Sequence, residues 1–364
     1  MSASEIQVRP RAPWQQVRRA AGLAVRTLTT PLLPDDFVEL VAPLQSTRQL
    51  HGRVLAIADE GTRARRLTIR AGRGWAGHRA GQHVRIAFRV DGVWQWRAYS
   101  LTHDANARDR LLEVTVGAVG GLVSTHVHER LSVGDLVLLD GAGGEFGFPE
   151  PVPPHVLFIT AGSGITPMIG MLRSHRHELF DVVVVHSSRD EGSLAYASQL
   201  REWEADGSIR LVLRHTATEG RLRLGELDAL VPDWRTRQTW VCAPHDLVKA
   251  AEQHWAEADL TENLHTEVFR PPLPVVGEGG TVTFADTGRT VESDGSTTLL
   301  DAGEEAGVLM PSGCRMGICF SCLTPLTSGS VRDLRNGELT SVTDEPLDIQ
   351  TCISAAAGPC TLSR

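Results

Sequence analysis

The stretch GCRMGICFSC, residues 313–322, sets Cys314, Cys319 and Cys322 close together in a 364-residue chain that has only six cysteines. Their spacing is C-x4-C-x2-C, and Cys352 follows after 29 intervening residues. Cysteines grouped this way form disulfides, hold a metal, or merely pack in a loop.

Disulfides are the poorest fit. The N-terminal sequence MSASEIQVRPRAPWQQVRRAAGLAVRT has no apolar h-region and no cleavage-like site, so the reading is no signal peptide and a cytoplasmic protein. Disulfides rarely persist there. No apolar run approaches the roughly 18 residues of a membrane span. Thiolates suit zinc or iron–sulfur centres. Structural zinc sites usually offer two CxxC-like pairs or closely spaced histidines. Here one CxxC has a third cysteine ahead of it and a distant fourth behind, which is the plant-type [2Fe–2S] spacing. Gly313 and Gly317 let backbone N–H groups turn towards cluster sulfurs.

On these residues, positions 279–364 resemble the plant-type ferredoxin family, and the resemblance implies a β-grasp ferredoxin domain with Cys314, Cys319, Cys322 and Cys352 as metal ligands. The flanks agree: VTFADTGRTVES reads as a hairpin, TTLLDAGEEAG as a helix and PCTLSR as a closing strand in which Cys360 packs.

A ferredoxin needs fewer than about 100 residues, so the rest of the chain is its electron source or its client. In WQWRAYSLTHD (94–104), Arg97 and Tyr99 share one face of a strand. An arginine beside a tyrosine suits an anionic, planar cofactor. GAVGGLVSTHVHE follows, with Gly120 and Gly121 opening a helix whose N-terminus is a ready phosphate site. The strands GRVLAIA, RRLTIRA, HVRIAFRV, LLEVTV and DLVLLDG alternate in polarity, as in a small antiparallel barrel. The stretch resembles the ferredoxin–NADP⁺ reductase superfamily. That resemblance implies an antiparallel β-barrel flavin domain whose cofactor-binding positions are Arg97, Ala98, Tyr99 and Ser100 with Gly121, Leu122, Val123 and Ser124. Arg97 and Ser124 would meet phosphates, Tyr99 would stack on the isoalloxazine, and Ser100 would lie near its reactive nitrogen. The turn resembles the FAD reductases more than the FMN branch.

HVLFITAGSGITPMIGMLRS reads as a strand, a glycine turn and a helix, with Thr166 as N-cap and Pro167 as first helical residue. Gly162, Ser163 and Gly164 allow close backbone approach to a pyrophosphate. DVVVVHSSRD, RLVLRHT and TWVCAPHDLVKAAE continue the alternation of strand and helix, which implies an α/β parallel-sheet nicotinamide domain with ligands at the strands' carboxyl ends. Cys242 ends a strand where the reductase family has Cys-Gly-x; Ala243 departs from that glycine. Ser188 and Arg189 have the chemistry for a 2′-phosphate, with Asp190 adjacent, so NADPH is favoured over NADH. TEVFRPP (266–272) matches the family's last strand, with Glu267 at the active site and Phe269 as a flavin cover.

The expected multidomain order is a 1–49 extension, a 50–150 FAD-binding barrel, a 151–270 NAD(P)-binding domain, a 271–278 linker and a 279–364 ferredoxin domain. This resembles the phthalate dioxygenase reductase arrangement and, over residues 30–50, actinobacterial reductases that feed acyl-CoA desaturases. It implies an NAD(P)H-dependent reductase with a protein electron acceptor: an oxygenase, hydroxylase or desaturase. A flavin and iron–sulfur redox sensor is the alternative, although a nicotinamide domain would be superfluous to it. No Rieske Cys/His pairs, His-rich diiron motif or thiolate-haem segment marks a built-in oxygenase. Residues 278–364 carry twelve acidic residues against five arginines, which argues against nucleic acid and for a basic protein partner. Residues 1–30 carry five arginines against one glutamate. Their stretch WQQVRRAAGLAVRTLTT can form a basic amphipathic helix for peripheral membrane contact or pack on the barrel.

Overall fold

The computed structural model describes residues 41–269, 276–313, 315, 317, 320–343 and 345–364. The basic N-terminal helix, most of the linker, Cys314 and Cys319 lie outside the described residues. No helix among the described residues is long and apolar enough to cross a membrane.

The first unit is an antiparallel six-stranded sheet in the order β4-β3-β6-β1-β2-β5. Its strands are β1 (His51–Glu60), β2 (Ala64–Ala71), β3 (His83–Val90), β4 (Val93–Ser100), β5 (Leu111–Gly117) and β6 (Leu136–Gly143). Alternation decides which side faces in: β2 buries Leu67, Ile69 and Ala71 and turns Arg66, Thr68 and Arg70 the other way. The buried positions meet Val84, Ile86, Phe88, Leu112, Val114 and Leu139 in one core. The sheet curls so that its end strands meet, and the Thr102 N–H just beyond β4 donates to the Glu113 carbonyl of β5 at 2.9 Å. Helix α1 (Leu122–Glu129) buries Val123 and Val127 in the barrel core.

The second unit is a parallel five-stranded sheet, order β11-β10-β7-β8-β9. It comprises β7 (His155–Ala161), β8 (Asp181–Ser188), β9 (Arg210–His215), β10 (Gln238–Cys242) and β11 (Leu264–Glu267). Helices α2 (Ile165–His175), α3 (Ala197–Ala205) and α4 (His245–Glu257) cover it. β8 is buried almost throughout because both faces are covered. Val182 and Val184 join one core and Val183 and Val185 the other. Ala80 and Phe146 from the barrel side enter the first of these cores, so it crosses from one unit to the next.

The third unit is a mixed sheet, order β13-β12-β17-β14-β15, with β16 also paired to β14. Its strands are β12 (Gly280–Phe284), β13 (Arg289–Ser293), β14 (Leu323–Asp333), β15 (Leu339–Ser341), β16 (Leu347–Gln350) and β17 (Ser354–Leu362). The first hairpin lies parallel to the closing strand, Val282 opposite Cys360, and α5 (Leu299–Glu305) packs Leu299 and Leu300 onto the sheet. This is the β-grasp arrangement. Cys360 is a core residue whose thiol burial pushes up to about 11.

Candidate active site

β4 carries Arg97, Ala98, Tyr99 and Ser100 in register with Ile86, Arg85, Val84 and His83 of β3. Arg97 Nη1 donates to the Trp96 carbonyl at 2.7 Å. Tyr99 packs on the barrel core with its ring edge-on to Phe88, centroids 6.1 Å apart. Ser100 is buried. Beyond β5, Gly121 precedes α1 without a side-chain cap, so the N-cap leaves the first-turn N–H groups unsatisfied by any side chain among the described residues. Ser124 Oγ donates back to the Gly121 carbonyl at 2.9 Å. Leu122 is exposed, and a methyl group added at Gly120 or Gly121 would meet nothing within 4 Å. An uncapped helix start with open space before it, on the same barrel whose β4 carries Arg97, fits a phosphate-bearing flavin.

In the α/β unit every strand is parallel, so all five carboxyl ends fall on one edge. Gly162, Ser163 and Gly164 wind as a 3₁₀ turn straight off β7. Sequence reasoning made Thr166 an N-cap and Pro167 the first helical residue; the structure corrects this. α2 already begins at Ile165, capped by Gly164, because the 3₁₀ turn starts the winding early. Thr166 Oγ1 therefore donates to the Ser163 carbonyl, at 2.9 Å, rather than accepting an N–H. Gly162 has φ +55 and open space beside it, whereas a Cβ on Gly164 would lie 1.9 Å from the Cys242 carbonyl oxygen. That contact brings the turn against the end of β10.

Cys242 pairs in register with Thr160 of β7 and Glu267 of β11. Burial pushes the Cys242 thiol well above its usual range, with the Glu267 charge adding to the effect. Burial also raises the Glu267 carboxyl from 4.5 to about 7, and its Oε2 is buried without a hydrogen-bond partner among the described residues. Phe269 is half-buried against the core that holds Cys242. At the neighbouring strand ends, Ser188 Oγ lies 3.2 Å from His215 Nδ1 and donates to the Asp190 carbonyl at 3.1 Å. Asp190 turns its carboxylate into its own capping box, accepting the Ser193 N–H at 2.8 Å. Arg189 is exposed, and its guanidinium makes no hydrogen bond or ion pair among the described residues.

In the β-grasp unit, the Cys322 and Cys352 sulfurs stand 3.3 Å apart, well beyond the roughly 2.05 Å of a disulfide. Their mutual hydrogen bond pulls the Cys322 thiol down to about 6. Arg315, Gly317 and Phe320, in the stretch just before Cys322, each have φ between +56 and +73. Two juxtaposed cysteine sulfurs, with the Cys322 thiol leaning towards the thiolate, fit a soft metal centre.

Sequence reasoning missed the polar contacts between the first two units. Arg173 of α2 donates to Glu113 of β5 at 2.6 Å, and Tyr196 bonds Thr102 and Thr115. The available signals were an arginine on an otherwise buried helix and one of only two tyrosines in the chain.

Comparison with known proteins places these units in context. Residues 58–148 match the oxidoreductase FAD-binding domain family, 158–251 the oxidoreductase NAD-binding domain family and 282–357 the 2Fe-2S iron-sulfur cluster binding domain family. A protein of Mycobacterium tuberculosis named NADPH oxidoreductase is 43% identical over 96% of this chain and 92% of its own length. The glycine betaine monooxygenase reductase subunit of Pseudomonas aeruginosa is 27% identical over 76% of this chain and 85% of its own. Among solved structures, phthalate dioxygenase reductase shares the fold with a TM-score of 0.62 at 20% identity, covering 87% of this chain and 98% of that one.

Proposed function

This chain belongs to the oxidoreductases that join FAD-binding, NAD-binding and 2Fe-2S domains in one polypeptide, and from that premise we propose that it draws electrons from NADPH for a separate oxygenase-type protein. It is an NAD(P)H-dependent oxidoreductase. The units proposed to act in succession are the 151–270 α/β domain, which takes the nucleotide, the 50–150 barrel, which holds the flavin, and the 279–364 ferredoxin domain, with 271–278 as linker. A flavin bound in the barrel would supply the chemistry that links a two-electron hydride donor to a one-electron acceptor such as the cluster.

The chain's own residues hold and orient. Arg97 and the first-turn N–H groups of α1, from Gly121 to Ser124, take the flavin phosphates. Tyr99 covers the ring, while Ala98 and Ser100 line its edge. The Gly162–Gly164 turn and the start of α2, with Thr166 and Pro167, receive the nucleotide pyrophosphate. Cys242, Glu267 and Phe269 enclose the transfer site and keep water from it. Cys314, Cys319, Cys322 and Cys352 hold the cluster.

The observation that carries this reading is the strand-end edge where the open glycine turn, Cys242 and the half-buried Glu267 meet. NADPH is favoured over NADH because Asp190, the acid that would read a ribose hydroxyl, is spent on its own cap, while Arg189 is exposed at the same strand end. The name of the 43% identical relative points the same way. The acceptor is assigned as an oxygenase, hydroxylase or desaturase because a relative is named as the reductase subunit of a monooxygenase.

Reduction of a dye acceptor by NADPH and by NADH tests the reading, with the flavin identified after acid release. The expected result is FAD and a kcat/KM at least ~10-fold higher for NADPH, the factor that about 1.4 kcal/mol of differential binding gives. Absence of turnover with either nucleotide by the flavin- and iron-loaded protein would overturn it.

A further inference from the structure

Thr102 lies two residues beyond Ser100, where the barrel closes on Glu113. Arg173, in the third turn of α2, reaches into this closure. Its Nη1 donates to Glu113 Oε2 at 2.6 Å and to the Thr102 carbonyl at 2.8 Å. Its Nε and Nη2 both donate to Gln199 Oε1 of α3, at 3.2 and 2.9 Å. Glu113 uses its other oxygen to accept Thr68 Oγ1 at 3.1 Å. The Arg173 and Glu113 side chains are only 15% and 16% exposed.

Tyr196 completes the cluster. Its ring lies 5.4 Å from the Arg173 guanidinium, and its hydroxyl lies 2.5 Å from Thr115 Oγ1 and 3.2 Å from Thr102 Oγ1. Tyr196 is held at φ +60, a left-handed conformation uncommon for a bulky residue. One turn earlier on α2, a Cβ on Gly170 would sit 2.3 Å from the Leu101 carbonyl oxygen, so the helix lies directly on the segment that follows Ser100. Ser174 Oγ accepts the Ala105 N–H at 2.9 Å.

α2 therefore has two attachments. Its N-terminus emerges from the Gly162–Gly164 turn, and its flank from Gly170 to Ser174 grips the chain just past the Arg97–Ser100 strand. The rise from Thr166 to Arg173 is about 10 Å of rigid helix. We propose that Arg173, acting with Glu113 and Tyr196, is a positioning residue for electron transfer from nucleotide to flavin: it fixes the distance and angle between the two cofactor sites through α2. The proposal rests on the reading of those sites given above. None of the three side chains is assigned a contact with either cofactor. The expected size of the effect is large because a displacement of about 1 Å costs a reaction of this kind up to ~100-fold.

The test uses the flavin- and iron-loaded full chain in stopped flow at saturating NADPH, following loss of flavin absorbance. Arg173→Met should slow flavin reduction at least ~10-fold while flavin content, NADP⁺ affinity and the amount of dithionite-reducible cluster stay within ~2-fold. Arg173→Lys, which keeps the charge but not the fork, should recover part of the rate. Arg173→Met combined with Glu113→Gln should be no slower than the slower single variant, because both remove one shared contact. Tyr196→Phe keeps the packing and removes two hydroxyl bonds; it should show the same selective slowing, and it alone decides the matter if Arg173→Met does not fold. Unchanged flavin reduction in the folded variants overturns the proposal. So does a loss matched by equal losses of nucleotide affinity and flavin content, which would mark a merely structural contact. Failure of the unaltered chain to oxidise NADPH would instead sink the functional reading, and the proposal with it.

Discussion

Cys242 and Glu267 end adjacent parallel strands in register with each other, and burial raises the pKa of both side chains. Burial, with the Glu267 charge adding to it, keeps the Cys242 thiol protonated at neutral pH, and burial alone leaves the Glu267 carboxyl near its midpoint there. The folded chain therefore binds a proton between pH 4.5 and about 7 that the unfolded chain has released. Stability should fall as pH rises through that window and level off above it. Glu267→Gln should flatten this slope and stabilise the α/β domain at pH 8 by about 3 kcal/mol. Trp234, Trp240 and Trp255 are fully buried in that domain, so denaturation followed by tryptophan fluorescence at about pH 5 and pH 8 reads the change. An unaltered pH slope would mean that Glu267 is not the titrating group.

Arg189→Ala should raise KM for NADPH roughly 10-fold, a loss of about 1.4 kcal/mol, and leave NADH nearly unchanged, since only NADPH carries the 2′-phosphate. Because the side chain is exposed, stability should hardly move. Steady-state kinetics with both nucleotides decide it, and equal effects on the two would remove Arg189 as the discriminating group.

Cys322→Ser should abolish the cluster and leave flavin reduction by NADPH intact, because the β-grasp core is a separate one from those that build the flavin and nucleotide sites. The unaltered protein should contain about two irons and two sulfides per chain. Iron and sulfide analysis with reduced-state EPR checks both statements, and stoichiometric zinc in place of iron would contradict the assignment.

Much of the architecture was legible in the sequence because it rests on short-range patterns. HVRIAFRV became β3 with the bounds read from its polarity, and DVVVVHSSRD became β8, which stops two residues earlier, at Ser188. The glycine pair before α1 and the turn before α2 marked helix starts through residue type alone. The Thr166 cap failed because residue preference at a helix start cannot tell that a 3₁₀ turn has already begun the winding. Arg173, Glu113 and Tyr196 were illegible for a different reason. They are far apart in sequence, each looks like an ordinary surface or core residue, and only the closure of the barrel brings them together. Ser188 and Arg189 were readable as a polar strand end, but that Asp190 folds back into a cap depends on Ser193.

The glycine turn offers a last and sharper test, because its two outer glycines face opposite surroundings. A Cβ on Gly164 would lie 1.9 Å from the Cys242 carbonyl oxygen and 2.6 Å from its carbon, backbone atoms held by pairing to both β7 and β11. No side-chain rotation can relieve that overlap, so Gly164→Ala must push the turn away from β10. It should cost about 1–3 kcal/mol of stability, as overpacking does, and slow flavin reduction by displacing the turn from Cys242. A Cβ on Gly162 would meet open space, so Gly162→Ala should cost only the left-handed backbone, about 1–2 kcal/mol. If the bound pyrophosphate occupies that space, Gly162→Ala should also weaken NADP⁺ binding by more than its stability cost explains. Titration with NADP⁺ beside thermal melts separates the two effects. Full nucleotide affinity in Gly162→Ala would place the pyrophosphate elsewhere, and an unperturbed Gly164→Ala would show that the turn and Cys242 are not rigidly coupled.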